Sequence, residues 1–303
     1  SLMNYRGINL FPDLDLVVLA RELTAEEIKI IRQHTKKKLE VFVHGHLCIS
    51  YSGQCLISSL IGKRSGNRGI CASSCRKRYN DKGYLISAKD LMLADSIEKM
   101  QQLGVDAVKI EGRMKSPEYV AITTKTYREQ IDAAQKKNFK TLDQSHLDYL
   151  KLEFNREFTG GFFGNNASIV GKEMPMNRGI PLGTIQQGKL LLQHPVQRFD
   201  GIGYWHPRHK GKFHGGLLEK IILEGQEVVQ APAGKKVVLA SKYFVNGTKV
   251  FLTAKNQGQK ITAAPQLYSL PIKIAGQEDQ PLTIESALGK VNSAIPLQKA
   301  KTI

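Results

Sequence analysis

The stretch Leu14-Asp15-Leu16-Val17-Val18-Leu19-Ala20-Arg21-Glu22-Leu23-Thr24-Ala25-Glu26-Glu27 decides the fold class. Its first half, Leu14 to Ala20, is an apolar, valine-rich run of strand length. Its second half ends in Thr-x-x-Glu, where the Thr24 hydroxyl can cap the backbone N–H of Glu27 while the Glu27 carboxylate reaches back, opening a helix to about His34. A strand followed at once by a capped helix is one βα unit. Leu39 to Leu47 predicts the next strand. A third is expected near Tyr84 to Ser87 with a helix at about Asp90 to Leu103, then a fourth at Val105 to Ile110. A helix follows from Pro117, in its first turn, to about Ala134. Such alternation implies a parallel sheet covered on both faces. About four βα units fit before Lys136, whereas a closed barrel of this type needs eight, so the expected fold is α/β with the C-terminal half of a (βα) TIM-type barrel.

After a short helix near Gln144 to Glu153 glycines multiply, and Ile185, Leu190 to Leu192, Val228 to Val229, Val237 to Leu239 and Val250 to Leu252 mark short strands between turns. This predicts a small all-β, barrel-like domain. The expected organisation is a partial βα-barrel domain carrying the cysteines over 1–140, a connecting helix and linker over 141–164, and the small β domain over 165–303.

Across 303 residues, 44 Lys+Arg stand against 27 Asp+Glu, a net charge of +17, and 41% of residues are hydrophobic. That composition excludes disordered and fibrous classes. No run approaches the roughly 18 apolar residues of a membrane helix, and the N-terminal residues lack the apolar core of a secretory signal, so no membrane partner is expected and the expected location is the cytoplasm. The positive charge favours phosphate-rich partners without naming one.

The four cysteines, Cys48, Cys55, Cys71 and Cys75, all fall in one short segment, which points to a shared role. In a large chain among reducing thiols, clustered cysteines more often bind metal or do redox work than form disulfides. Zinc sites bring ligands in pairs two to four residues apart, whereas the spacing here is C-x6-C-x15-C-x3-C. That leans towards an iron–sulfur cluster and leaves zinc open. Lys63, Arg64, Arg68, Arg76, Lys77 and Arg78, with the glycines of Gly62 to Gly69, surround these thiols and would offset the negative charge of four thiolates, or form a solvated basic loop.

Strand alternation puts Glu40, Phe42, His44, His46 and Cys48 on one face of the second strand. Polar groups at the C-terminal end of a parallel strand stand where barrel enzymes place active sites; the alternative for His44 is a hydrogen-bonded core histidine beside a buried ion pair. The fourth strand likewise aims Lys109, Glu111 and Arg113 one way, either as a salt-bridge network or to hold an anionic substrate, and their position favours substrate. In the β region, Tyr204-Trp205-His206-Pro207-Arg208-His209-Lys210 mixes aromatic and cationic groups suited to unpaired bases, or is an ordinary hairpin loop.

The run Glu40-x-Phe42-x-x-Gly45-His46-Leu47-Cys48-x4-Gly53-x-Cys55-x-Ile57-Ser58 resembles the signature of the collagenase-like peptidase family of unassigned catalytic type. Asn67-Arg68-Gly69-x-Cys71-x3-Cys75-Arg76, Lys109-Ile110-Glu111-Gly112-Arg113-Met114-Lys115 and Phe154-Asn155-Arg156-Glu157-Phe158-Thr159-Gly160-Gly161-Phe162 resemble further family segments, so the likeness spans about residues 14 to 260. His46 stands where the family has a small residue, and Glu157 where glycine is common. The resemblance implies an N-terminal α/β barrel followed by a small β domain. It also implies kinship with bacterial RNA hydroxylases that make 5-hydroxyuridine in tRNA or 5-hydroxycytidine in rRNA, with prephenate implicated in some, and a four-iron, four-sulfur (4Fe-4S) cluster on Cys48, Cys55, Cys71 and Cys75. The family barrel has further βα units before the first residue matched here, which makes the missing barrel half, or a partner subunit, an expected partner.

Three functions compete. The first is a cluster-dependent RNA hydroxylase, with His44, Glu40, Lys109, Glu111 and Arg113 as candidate catalytic residues and Lys109 and Arg113 placed to hold an anionic co-substrate. RNA would lie on Lys63, Arg64, Arg68, Arg76, Lys77, Arg78, Tyr204, Trp205, Arg208 and Lys210. The second is a peptidase, although neither His-Glu-x-x-His nor Gly-x-Ser-x-Gly occurs in the chain. The third is a non-catalytic RNA-binding or partner subunit.

Overall fold

The computed structural model describes residues 2–164, 168–205, 213–239, 244–256, 271–277, 279–287 and 289–296. The chain divides into two compact units, residues 1–258 and 259–303. The larger unit opens with a mixed α/β portion. Helix α1 (Tyr5–Asn9) precedes β1 (Leu16–Val18), α2 (Ala25–His34), β2 (Lys38–His46) and α3 (Ile57–Gly62). Then come β3 (Asp90–Met92), α4 (Ile97–Gln102), β4 (Ala107–Ile110), α5 (Pro117–Gln135), α6 (Gln144–Glu153) and β5 (Phe158–Thr159).

Local chemistry sets these elements. The capping box at α2 forms as read, with the Thr24 N–H donating to Glu27 Oε2 at 2.8 Å and the Glu27 N–H to Thr24 Oγ1 at 3.2 Å. Helix α5 starts on the Ser116 hydroxyl, which accepts from the Tyr119 N–H, and α6 on the Asp143 carboxylate, which accepts from that of His146. Val17, Leu19, Ile28, Ile31, Leu39, Val41, Val43, Ile97 and Met100 pack as one core between strands and helices. Each fully buried side chain of this kind stabilises the fold by roughly 1.5–3 kcal/mol.

Strand β2 is the hub of the sheet. It pairs in parallel with β1 and β4 and antiparallel with β3, which continues in parallel to β5. The antiparallel β2–β3 pair departs from the all-parallel expectation, and the third strand lies at Asp90–Met92 rather than Tyr84 to Ser87. Its position follows from Asp90, which takes the backbone N–H of Arg156 on one carboxylate oxygen and the Arg156 guanidinium on the other, at 3.0 and 3.2 Å. Such a long-range tether leaves no local periodicity to read. Among the described residues the sheet is open and no closed barrel forms.

The same unit continues into an all-β portion: β6 (Ile180–Gln186), β7 (Lys189–Leu191), β8 (Val196–Gln197), β9 (Gly201–Trp205), β10 (Phe213–Leu217), β11 (Ile221–Leu223), β12 (Gln226–Val228), β13 (Gln230–Ala231), β14 (Lys236–Leu239) and β15 (Lys249–Ala254). Eight of these form an antiparallel sheet in the order β10-β9-β15-β6-β7-β14-β11-β12, and β8 pairs with β13. Its core includes Leu152 of α6, so this helix joins the two portions. The smaller unit carries a three-stranded antiparallel sheet, β16 (Lys273–Ala275), β17 (Pro281–Ser286) and β18 (Gly289–Pro296). Among the described residues no helix is long and apolar enough to cross a membrane.

Candidate functional site

A cavity of about 540 Å³ opens where β1, β2 and β4 end. Val18 to Arg21 line it from β1, Phe42, His46 and Leu47 from β2, and Glu111 and Arg113 from the residues after β4. The segment from Cys48 to Arg76 closes its outer wall, and Cys48, Cys55, Cys71 and Cys75 all line it. The site therefore stands at the C-terminal ends of parallel strands, where α/β folds with short βα loops can be varied without disturbing the core.

The thiols are free, with Cys48 and Cys71 exposed and Cys55 and Cys75 half-buried. The Ser73 N–H, donating to Cys71 Sγ at 3.3 Å, is the main influence that lowers the Cys71 pKa. Burial pushes the Cys75 thiol up, Arg76 opposes that, and Cys48 and Cys71 add to it, so Cys75 lies within electrostatic reach of two of the other thiols. Among the described residues no three His, Cys, Asp or Glu side chains gather tightly enough around one point to hold a single metal ion. Four soft donors spread over a shared cavity fit a group that offers each sulfur its own metal, as an iron–sulfur cluster does. A second observation points the same way: His46 Nε2 is buried beside these thiols with no hydrogen-bond partner among the described residues.

The other candidate residues separate into two sets. Glu111 and Arg113 reach the cavity, and the Arg113 guanidinium also donates to the Gly69 carbonyl at 2.7 Å, fastening the cysteine segment to β4. Lys109 and Glu40 do not line it; they pair with each other at 3.5 Å further down the sheet. Likewise His44 is off the cavity wall, 2% exposed, among the rings of Tyr119, Tyr127 and Phe158. Tyr127 spends its one proton on the Val43 carbonyl at 2.7 Å, so His44 Nδ1, 3.2 Å from that hydroxyl, is the donor there. Burial, aided by Lys115, lowers the His44 pKa to about 3. This is a satisfied core histidine, and the shared face expected for His44, Lys109, Glu111 and Arg113 is corrected accordingly.

The cause is a bulge. Pairing with β4 runs Phe42↔Lys109 and then His44↔Ile110, so one residue of β2 is extra there, and His44 is buried in the core while Phe42 before it and His46 after it both line the cavity. Gly45 follows at φ 101°, with its Cα so close to β4 that an added Cβ would lie 2.5 Å from the Glu111 carbonyl oxygen.

Of the cations proposed for RNA, Lys63, Arg64, Arg68, Lys77 and Arg78 are exposed, and none is in an ion pair among the described residues. Arg76 is different. It donates to Ser87 Oγ at 3.1 Å, to the Ala88 carbonyl at 2.6 Å and to the Leu47 carbonyl at 3.4 Å, which makes it an internal anchor of the cysteine segment rather than a phosphate contact. Tyr204 is also corrected, being 9% exposed in the β core against Phe244 and His214. Trp205 is half-buried, and Arg208 and Lys210 lie outside the described residues.

Sequence reasoning missed Arg21, Asp90, Lys115 and Arg156. Arg21 stacks over the Phe42 ring at 3.8 Å on the cavity wall, three residues beyond the first strand, and its position after that strand was the available signal. Lys115 lies over the rings of Phe154 and Tyr119, and burial lowers its pKa to about 8. Burial first, then Arg156, Lys115, Arg76 and Arg21, lowers the His46 pKa to about 3. The neutral His46 ring is thus ringed by cations.

Thiols gathered on one cavity at the ends of parallel strands mark the class of α/β protein to which this chain belongs. Within that class it is a member of peptidase family U32, whose sequence profile matches residues 1–172. Over 183 residues it is 39% identical to the tRNA hydroxylation protein P1 of Bacillus subtilis (strain 168), a match covering 54% of this chain and 43% of that protein. It is 31% identical over 228 residues to the 23S rRNA 5-hydroxycytidine C2501 synthase of Escherichia coli (strain K12), covering 67% of this chain and 35% of the relative. It is 35% identical over 176 residues to a collagenase of Porphyromonas gingivalis, covering 49% and 42%. The chain spans less than half the length of these curated relatives.

Proposed function

We propose that this chain carries the cysteine-lined site of an RNA base hydroxylase acting on a pyrimidine in tRNA or rRNA, with a 4Fe-4S cluster on Cys48, Cys55, Cys71 and Cys75. The observation that supports it is the meeting of all four thiols on one cavity at the C-terminal ends of β1, β2 and β4. The names of two relatives, a tRNA hydroxylation protein and a 5-hydroxycytidine synthase, supply the reaction class. When bound, the cluster supplies one-electron redox chemistry.

The chain's own residues would do the rest. Arg21 and Arg113, on opposite sides of the cavity mouth at the ends of β1 and β4, can offset thiolate charge and hold the carboxylates of an anionic co-substrate, for which prephenate is the candidate. Leu10, Phe11, Leu14 and Leu16 are exposed at and before β1, a surface suited to the other barrel half as partner, in the same polypeptide or a partner subunit. RNA and reduced thiols together imply a cytoplasmic setting.

A peptidase reading is favoured by the family's name and by relatives named as a protease and a collagenase. Against it, among the described residues none of the four thiols is hydrogen-bonded to a histidine, the base that a cysteine nucleophile requires. The test is anaerobic purification with iron, sulfide and zinc analysis, together with mass spectrometry of tRNA and rRNA nucleosides from cells with and without the gene. Iron and sulfide in equal amounts, and loss of one hydroxylated pyrimidine, are expected. Stoichiometric zinc without sulfide, or an unchanged nucleoside profile with cleavage of peptide substrates, would overturn the proposal.

A further inference from the structure

A second pocket, of about 270 Å³, lies where the basic cysteine segment meets the β portion of the same unit. Trp205 and Phe213 line it from β9 and β10, Tyr84 from the segment before β3, and Arg78 from the end of the cysteine segment. Met174, Met176, Glu173 and His214 complete it. Nothing in the cavity chemistry described above uses these residues.

Its walls have a definite character. The rings of Trp205 and Phe213 meet edge to face at 5.4 Å, and Phe213 in turn packs on Phe251 at 5.8 Å. Phe213 can lie there because it crosses Gly203, where any Cβ would collide with its ring. Trp205, Phe213 and Tyr84 are half-buried, so their positions are set while part of each remains accessible. Met174 is 2% exposed and Met176 55%, placing polarisable thioethers at the inner wall and at the rim. At the mouth stand one exposed guanidinium, Arg78, which has no ion-pair partner among the described residues, and one carboxylate, Glu173, which Arg178 approaches at 3.6 Å.

We infer that this pocket binds one unpaired nucleobase of the RNA, next to the base presented to the cysteine-lined cavity. The inference rests on the reading of this chain as an RNA-acting protein and specifies a subsite of it. Its size is below the roughly 300–1,000 Å³ of pockets for drug-sized ligands, which suits a single flat ring system rather than a whole cofactor. Aromatic faces accept any base by stacking, a carboxylate accepts from ring or amino N–H groups at the base edge, and a guanidinium takes a carbonyl or the flanking phosphate. An apolar protein side chain would use the rings but neither the Arg78 guanidinium nor the Glu173 carboxylate. A short stretch of chain links the two sites: Cys75 lines the cavity and Arg78, three residues on, lines the pocket.

Trp205 is the chain's only tryptophan, so its fluorescence reports this pocket alone. The experiment uses short single-stranded RNAs, each with a terminal dye, and the same RNAs with one abasic position moved along the strand. Anisotropy measures binding and tryptophan emission measures stacking. Binding should quench Trp205, and one abasic position should abolish the quenching and weaken binding. Trp205→Ala should weaken the intact RNA by roughly 5- to 150-fold, the range of one base stack, with the salt dependence unchanged. Trp205→Phe should retain most of the affinity. Met176→Glu, at an exposed rim position that tolerates substitution, should reproduce the loss if Trp205→Ala disturbs β9. RNA that binds with normal salt dependence while Trp205 emission and all three variants are unaffected would overturn the pocket and leave the RNA reading standing. Absence of binding by every RNA at low salt would overturn both.

Discussion

His44 shows how much one buried ring controls. Its pKa and that of His46 are held near 3, whereas in the unfolded chain both titrate near 6.5. Between those values the unfolded state binds up to two more protons at these positions, so stability is full above about pH 6.5 and falls as pH drops towards 3. His44→Phe, which suits neighbours Tyr119, Tyr127 and Phe158, removes one of those protons. Urea melts at a series of pH values should show a shallower loss of stability between pH 6.5 and 4 for this variant. At neutral pH it should cost only about 0.5–1.5 kcal/mol, the net worth of one hydrogen bond, because the Tyr127 hydroxyl keeps the Leu93 N–H as a donor. An unchanged slope would mean that His44 is charged in the folded protein. Glu157 carries a different lesson at the same scale. It adopts φ 69°, in the left-handed region that glycine prefers, and two ion pairs at 2.9 Å, with Lys89 and Arg178, hold it there.

At the scale of elements, β2 and the cysteine segment decide the site. Gly45 lets β2 pass close to Glu111 at a positive φ, so Gly45→Ala should destabilise by about 2–5 kcal/mol through backbone strain plus overlap with the Glu111 carbonyl, read as a lower denaturant midpoint. A loss below 1 kcal/mol would show that the strand can shift aside. Arg76 ties the cysteine segment to the sheet through three acceptors. Arg76→Ala should cost about 1.5–3 kcal/mol and open residues 63 to 82 to limited proteolysis, without changing the salt dependence of RNA binding. Helices α2, α5 and α6 were legible in the sequence because their caps and periodicity are local. The bulge in β2 left only a faint trace, a glycine inside a strand pattern, so nothing local announced that His44 leaves the face that Phe42 and His46 keep. Strand β3 was missed because its place depends on Asp90 meeting Arg156, residues 66 apart in sequence. The site was legible in part for the same reason: Glu111, Arg113 and the cysteines follow strand ends, whereas Lys115 and Arg156 take on their role only through packing.

Over the whole molecule, the net charge of +17 acts through where its uncompensated part lies. Lys109 is paired with Glu40, Arg156 with Asp90 and Lys89 with Glu157, and Arg76 is spent on backbone and hydroxyl oxygens. Lys63, Arg64, Arg68, Lys77 and Arg78 are exposed and in no ion pair among the described residues; the first three belong to the segment that walls the cysteine-lined cavity and the last two follow it directly. An RNA backbone laid along that segment would release about one counterion per contact, so five contacts predict a slope of log affinity against log salt of about −4. Affinity should then fall roughly a few-hundredfold between 50 and 200 mM salt. Changing Arg64 and Lys77 together to glutamate should weaken every RNA alike and flatten the slope by about two contacts' worth, because phosphate contacts carry no sequence information. Filter binding or anisotropy across a salt series measures both quantities. A slope near zero, or a double variant that discriminates among RNA sequences while keeping the original slope, would show that the RNA path lies elsewhere and that these five cations serve only solubility.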